Sequence, residues 1–277
     1  MPARGVIDRD GFRLSWVREG SGIPLLVVGS HRFYARYFPR ELRAHFDILF
    51  CDSRQWVPTP AGFDLSTLTI KTFADDIEAA RQVTGLDNPI VLGQSQHGAI
   101  AFEYARFYGD RIRGVGGVAA VPPAQEGLEP PADFFRRDAS PERLVAHERN
   151  LATRPVPTRV TTGREFAEEY VANDAMNYYD LSVNSAPLWE GVDLNLEVVY
   201  QLFGPEGLGG FRLEPLEVPA FLGLGRFDYG VPHYLWDEPR KRLLNLTFKL
   251  YQKSGHHPPY EQPDEFTADL YDWAKRL

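Results

Sequence analysis

Three residues far apart in the chain have the types that acyl transfer requires: Ser95, Asp228 and His256. A serine hydroxyl is a weak nucleophile at neutral pH and works only when a neighbouring base takes its proton. Histidine suits that task because its ordinary pKa lies near working pH. A carboxylate on the far ring nitrogen then fixes the tautomer and stabilises the imidazolium. Around Ser95 the chain reads Pro89-Ile90-Val91-Leu92-Gly93-Gln94-Ser95-Gln96-His97-Gly98-Ala99-Ile100-Ala101. The apolar run predicts a buried strand, and the spacing of Ile100, Tyr104, Ala105 and Tyr108 predicts a helix. Reversal within so few residues demands a strained serine backbone and neighbours too small to clash, hence Gly93 and Gly98. Such a turn sets the hydroxyl at a helix N-terminus, where backbone N–H groups, that of Gln96 first, point at a developing anion. An ordinary strand-to-helix turn would read the same way, so the weight falls on the base and the acid.

Both are present, each just past a predicted strand. Val218-Pro219-Ala220-Phe221-Leu222-Gly223-Leu224 leads into Gly225-Arg226-Phe227-Asp228-Tyr229-Gly230-Val231-Pro232, and Asn245 to Tyr251 leads into Ser254-Gly255-His256-His257. The serine turn, with the order Ser95, Asp228, His256, resembles the α/β-hydrolase family and its nucleophile elbow. The resemblance implies an α/β fold with a mostly parallel eight-stranded sheet flanked by helices and a helical cap after strand 6. It divides the chain into a core at 1–121, a cap at 122–216 and the rest of the core at 217–277. The Gly-Arg-Phe-Asp turn and Ser-Gly-His with its trailing Glu261-Gln262-Pro263 look closest to the prolyl-aminopeptidase-like branch. The family pattern also implies a second oxyanion donor in the loop Gly29-Ser30-His31, for which Ser30 is the candidate beside Gln96.

The sequence departs from the family at two points. His97 stands where G-x-S-x-G has its second glycine, and Val28-Gly29 stands where a His-Gly pair is usual. His257 is the rival base, disfavoured because the family places the base directly after the glycine. For His97, packing or a hydrogen bond to a neighbouring strand is expected rather than catalysis. Adjacent histidines rarely chelate one ion, and no Cys/His spacing supports a metal site. Asp75-Asp76 lies on a predicted helix where adjacent residues do not face each other, so it reads as a structural or solvated pair.

The elements that must position these residues alternate in type. A hairpin spans 4–18 around Asp8-Arg9-Asp10-Gly11, and strands follow at 23–28 and 46–51. Ile70 to Val83 has helical periodicity. A Gly/Val/Ala strand spans 112–121. Residues 122–216 then show helical stretches (141–151, 163–176 and 192–203) between Pro-rich turns, with no clear buried strand. Most aromatic residues there are expected to form the segment's own small core, with Tyr178, Tyr179 and Trp189 as candidates to line an apolar acyl pocket. Glu165, Glu168 and Glu169 match the acidic residues with which proline-releasing members hold a free amine, although a charged helix face is the simpler explanation. Asp264 to Leu277 reads as an amphipathic helix.

Composition bounds the rest. The chain has 277 residues, 43% hydrophobic and 13% aromatic, enough for one sizeable core plus a lid. A net charge of −8 without a basic cluster argues against nucleic acid and anionic membrane surfaces. Cys51 is the single cysteine, so no internal disulfide can form, and no apolar run reaches the length of a membrane span. These features point to a cytoplasmic monomer or homodimer acting on a small molecule. The expectation is a cofactor-free serine hydrolase for an ester, lactone or amide. Its competitor is a small-molecule receptor or a non-hydrolytic catalyst (cyclase, lyase or epimerase) on the same fold.

Overall fold

The computed structural model describes residues 2–123, 129–154, 159–204 and 207–277. The hairpin forms as β1 (Ala3–Arg9) and β2 (Phe12–Gly20), followed by β3 (Ile23–Gly29), α1 (His31–Tyr37) and β4 (Phe46–Asp52). Next come α2 (Ile70–Val83), β5 (Ile90–Gln94), α3 (Gln96–Tyr108) and β6 (Gly114–Val118). Among the described residues six α-helices then intervene: α4 (Pro131–Asp138), α5 (Pro141–Thr153), α6 (Gly163–Ala172), α7 (Asp174–Asn177), α8 (Ala186–Trp189) and α9 (Leu196–Phe203). The chain closes with β7 (Ala220–Gly225), β8 (Leu246–Tyr251), α10 (Pro258–Glu261) and α11 (Pro263–Ala274).

The eight strands form one sheet in the order β1-β2-β4-β3-β5-β6-β7-β8. β2 runs antiparallel to both its neighbours, and every other pairing is parallel. The central strands are apolar throughout because both sheet faces are covered. Alternation still sorts their side chains by face. Leu26, Val28 and Val91 join the cluster built with Phe73, Ile77 and Tyr104 of α2 and α3. Leu25, Val27, Ile90 and Leu92 join the opposite cluster with Tyr37 of α1 and Phe266, Leu270 and Trp273 of α11. This is the three-layer α/β architecture that the alternation of elements predicts.

Local rules set several boundaries. Thr69 and Thr72 cap α2 reciprocally, so the helix starts at Ile70 as the periodicity predicts. The stretch 163–176 is two helices, not one. Asn173 ends α6, and Asp174 turns to bond the Ser185 backbone and hydroxyl at 3.0 and 2.6 Å. α9 starts at Leu196 rather than 192 because the Asn195 side chain accepts from Val198 N–H. Among the described residues, no helix is long and apolar enough to cross a membrane.

Asp75 and Asp76 point to different partners. Asp76 is buried against Arg54 and Arg9, and Asp75 pairs with Lys71 and the Tyr108 hydroxyl. Arg54 is fully buried and reaches Asp10 as well. A buried guanidinium needs such partners, and these tie the hairpin to α2.

Candidate active site

Ser95 lies between β5 and α3 with φ 55° and ψ −127°, a backbone region that costs a non-glycine residue energy. Its surroundings hold it there. Its N–H donates to Val118 O at 2.9 Å, and its carbonyl accepts from Gly98 and Val121 at 3.0 and 3.1 Å. A Cβ at residue 93 would overlap the His97 carbonyl, and one at residue 98 would overlap the Ala120 methyl. Both glycines are therefore required by close approach, and it is Gly98 that lets α3 settle against the loop after β6.

Asp228 and His256 sit on the loops after β7 and β8. His256 Nδ1 is 2.6 Å from Asp228 Oδ2, while Oδ1 accepts from the Gly230 and Val231 N–H groups at 3.0 and 2.7 Å. Both residues are buried, and both carboxylate oxygens have partners. With Nδ1 committed, Nε2 is the ring nitrogen left for proton transfer. The His256 backbone is held at both ends: its N–H donates to Asn177 O at 2.6 Å, and its carbonyl accepts from Gln94 Nε2 at 3.2 Å. Glu261 braces the same loop, accepting from Gly255 N–H at 2.7 Å, Ser254 Oγ at 2.9 Å and Tyr179 N–H at 2.6 Å. Burial pushes its carboxyl up to about 7, against the opposing pull of those donors.

Ser95, Gln96 and His256 line one cavity of about 210 Å³. The rest of its wall is largely aromatic and aliphatic, including Phe33, Trp56, Phe166, Tyr170, Trp189 and Phe203, and among the described residues it carries no Asp, Glu, Lys or Arg. Two further histidines line it, both neutral. Burial pushes His97 down to about 3, opposed only by a hydrogen bond with the Gln94 backbone. It also holds His257 well below its ordinary value, helped by the charge of neighbouring His256. Among the described residues His257 has no carboxylate partner: Nε2 is 2.7 Å from the Tyr170 hydroxyl, and its ring stacks on Tyr178. An open depression of about 630 Å³ beside β1, β2 and α1 is larger but shares no residue with this cavity.

The other residues predicted from sequence fall on both sides of the cavity wall. Trp189 lines it. Tyr178 does not, because it is fully buried beneath His257, and Tyr179 turns outward against Phe227 with 39% of its surface exposed. Ser30 also lies off the wall. It caps α1, accepting from Phe33 N–H at 3.2 Å, and borders a separate polar depression with Asp52. The adjacent His31 N–H is already donated to Asp52 at 2.8 Å. Glu165 caps α6, Glu168 pairs with Arg164, and neither they nor Glu169 line the cavity. Among the described residues there is no cluster of three or more His, Cys, Asp or Glu side chains arranged to hold a metal ion.

Sequence reasoning missed Phe33, Tyr34 and Trp56. The signal for the first two was present: the stretch directly after β3, Phe33-Tyr34-Ala35-Arg36-Tyr37-Phe38, is dense in aromatic residues. Trp56 comes just after the Asp52-Ser53-Arg54 turn, and nothing local marks it as a wall residue.

A mostly parallel sheet with a strained serine between strand and helix, and a histidine–aspartate pair on later loops, defines an α/β-hydrolase architecture. The chain belongs to the alpha/beta hydrolase fold family, whose pattern residues 22–263 match. It is 29% identical to the AB hydrolase superfamily protein YclE of Bacillus subtilis (strain 168), over 99% of each chain. It is 22% identical to a proline iminopeptidase of Heyndrickxia coagulans across the full length of both. An alpha/beta fold family hydrolase from Bacillus anthracis str. Sterne superimposes with a TM-score of 0.72 at 15% identity, covering 99% of each chain.

Proposed function

We propose that this protein is a serine hydrolase that cleaves an ester or lactone of a small, uncharged, apolar substrate through an acyl-enzyme on Ser95. His256 takes the Ser95 proton through Nε2 as the hydroxyl attacks the carbonyl, and Asp228 orients the imidazole and stabilises its charged form. The Gln96 N–H at the start of α3 supports the oxyanion. His256 then returns the proton to the leaving alcohol, and water repeats the sequence to release the acid. The helices of 122–216 act as a lid over the site.

One observation carries the reading: Ser95, on its strained turn, and His256, paired to Asp228 at 2.6 Å, line the same uncharged cavity. The uncharged wall favours esters and lactones over the aminoacyl amides that a proline iminopeptidase's name implies. Among the described residues a free ammonium has no carboxylate to meet there, because Glu165, Glu168 and Glu169 are elsewhere.

Covalent labelling by a fluorophosphonate, read by intact mass and peptide mapping, tests it. The wild type should label at Ser95, and Ser95→Ala and His256→Ala should not. Turnover of p-nitrophenyl esters in Ser95→Ala should fall by about three to six orders of magnitude. A folded wild type that stays unlabelled, or a Ser95→Ala variant with near-normal turnover, refutes the acyl-enzyme.

A further inference from the structure

His97 stands two residues after Ser95, buried, where the family pattern has glycine. Its surroundings fix where every proton lies. Trp56 Nε1 is 3.1 Å from His97 Nε2, and an indole N–H can only donate, so Nε2 is an unprotonated acceptor. Gln55 Nε2 approaches the same atom at 2.8 Å, its amide oriented by Ser53 Oγ, which donates to Gln55 Oε1 at 2.7 Å. The ring is neutral, so its single proton sits on Nδ1, 3.0 Å from the Tyr34 hydroxyl. Tyr34 Oη shares that proton with the Gln94 backbone and donates its own to Gln94 Oε1 at 3.1 Å. With Oε1 engaged, the amide nitrogen of Gln94 faces the His256 carbonyl at 3.2 Å.

The donors thus run one way: Trp56 to His97, His97 to Tyr34, Tyr34 to Gln94, and Gln94 to the backbone of His256. One tyrosine hydroxyl binds the residue just before Ser95 and the residue two after it. Its ring lies so close over Gly29 that a Cβ there would overlap it. We propose that His97 is a positioning residue, whose Nδ1–H sets the direction of this chain and so fixes the His256 backbone relative to Ser95. Glycine at 97 would leave the Trp56 and Gln55 donors without their acceptor and the Tyr34 hydroxyl free to turn. The proposal rests on the hydrolase reading for its effect on turnover, but not for its effect on His256.

Two amides separate the ring's two nitrogens. In His97→Asn the amide nitrogen stands near the place of Nδ1, and in His97→Gln the amide reaches the place of Nε2. The experiment measures kcat and KM on a p-nitrophenyl ester, the fluorophosphonate labelling rate at Ser95, the unfolding midpoint, and the low-field proton resonance of His256 Nδ1–H. His97→Leu and Tyr34→Phe should lower kcat and labelling by about 10- to 100-fold with KM nearly unchanged, because small misplacements of reacting groups cost that much. The His256 resonance should move in both. His97→Asn should recover most of the rate and the wild-type resonance, and His97→Gln should not. Wild-type labelling in a folded His97→Leu, or equal recovery by Asn and Gln, overturns the proposal. The resonance is read whether or not Ser95 reacts. A moved and Asn-restored signal in a protein that never labels would therefore sink the hydrolase reading and leave the positioning role standing.

Discussion

His256 and His97 line one cavity, both are buried, and both flank the same serine, yet their surroundings differ in one respect. His256 has a carboxylate on Nδ1, while the described partners of His97 are neutral: an indole, an amide side chain, two hydroxyls and the Gln94 backbone. A buried imidazolium without a counter-charge is expensive, and burial accordingly drives His97 down to about 3. Such a ring can direct hydrogen bonds but cannot hold a proton in transit. In the proposed mechanism His256 does so, with Asp228 offsetting the charge it gains. On the proposed reading it is the carboxylate, and not nearness to the serine in sequence, that separates a base from a bracket.

The comparison breaks most directly at Asp228. Asp228→Asn should cost about three to four orders of magnitude in kcat, since the amide favours the wrong tautomer of His256. A loss of less than tenfold would show that the pair is not the proton-handling unit. Gly93→Ala strikes the His97 side through the backbone, where the new methyl would overlap the His97 carbonyl. It should lower unfolding free energy in urea by about 1–3 kcal/mol or more, and an unchanged midpoint would refute the close approach. Gln55→Glu sharpens the contrast by giving His97 the carboxylate it lacks. Its imidazole should then titrate above its present value of about 3, followed by NMR of the ring protons. A midpoint that stays put would mean that burial alone sets it.

Glu261→Gln tests the His256 side at its brace. The Glu261 carboxyl lies at about 7, above its ordinary 4.5. The folded state therefore binds this proton more tightly than the unfolded chain does. The resulting stability is fully present below pH 4.5 and is lost as pH rises through 7. Asp174, raised to about 6 by burial, acts in the same direction. The thermal midpoint of the wild type should fall as pH rises through this window, and the slope should flatten in Glu261→Gln. An equal slope in both proteins would assign the effect elsewhere.

How much the sequence reveals depends on how local the cause is. Periodicity and a reciprocal cap mark α2 at its observed start, and the apolar runs of β3, β5 and β7 announce a sheet covered on both faces. Ser95, Asp228 and His256 could be picked out because each comes after a strand in an order that a family shares. The 2.6 Å pairing of His256 with Asp228, and the cavity that His256 shares with Ser95, are tertiary facts. The contacts of Tyr34 and Trp56 with His97 are tertiary for the same reason, as they span 63 and 41 residues. The pocket aromatics were read from composition, and composition cannot tell Trp189, on the wall, from Tyr178, sealed behind it. Nor does propensity foresee the break at Asn173, which Ser185 enforces through Asp174.

Buried Arg143 of α5 donates to the carbonyls of Ala175, Tyr178 and Tyr179, and that same segment supplies the Asn177 carbonyl to His256 and the Tyr179 N–H to Glu261. The helices between β6 and β7 are thus fastened to His256 through the segment 175–179, while α6 and α9 reach the cavity with Phe166 and Phe203. Exchanging this insertion between relatives to alter selectivity would unfasten the histidine along with the roof. Grafts should therefore keep native Arg143 and the segment 175–179, and vary the cavity-lining positions such as Phe166 and Phe203.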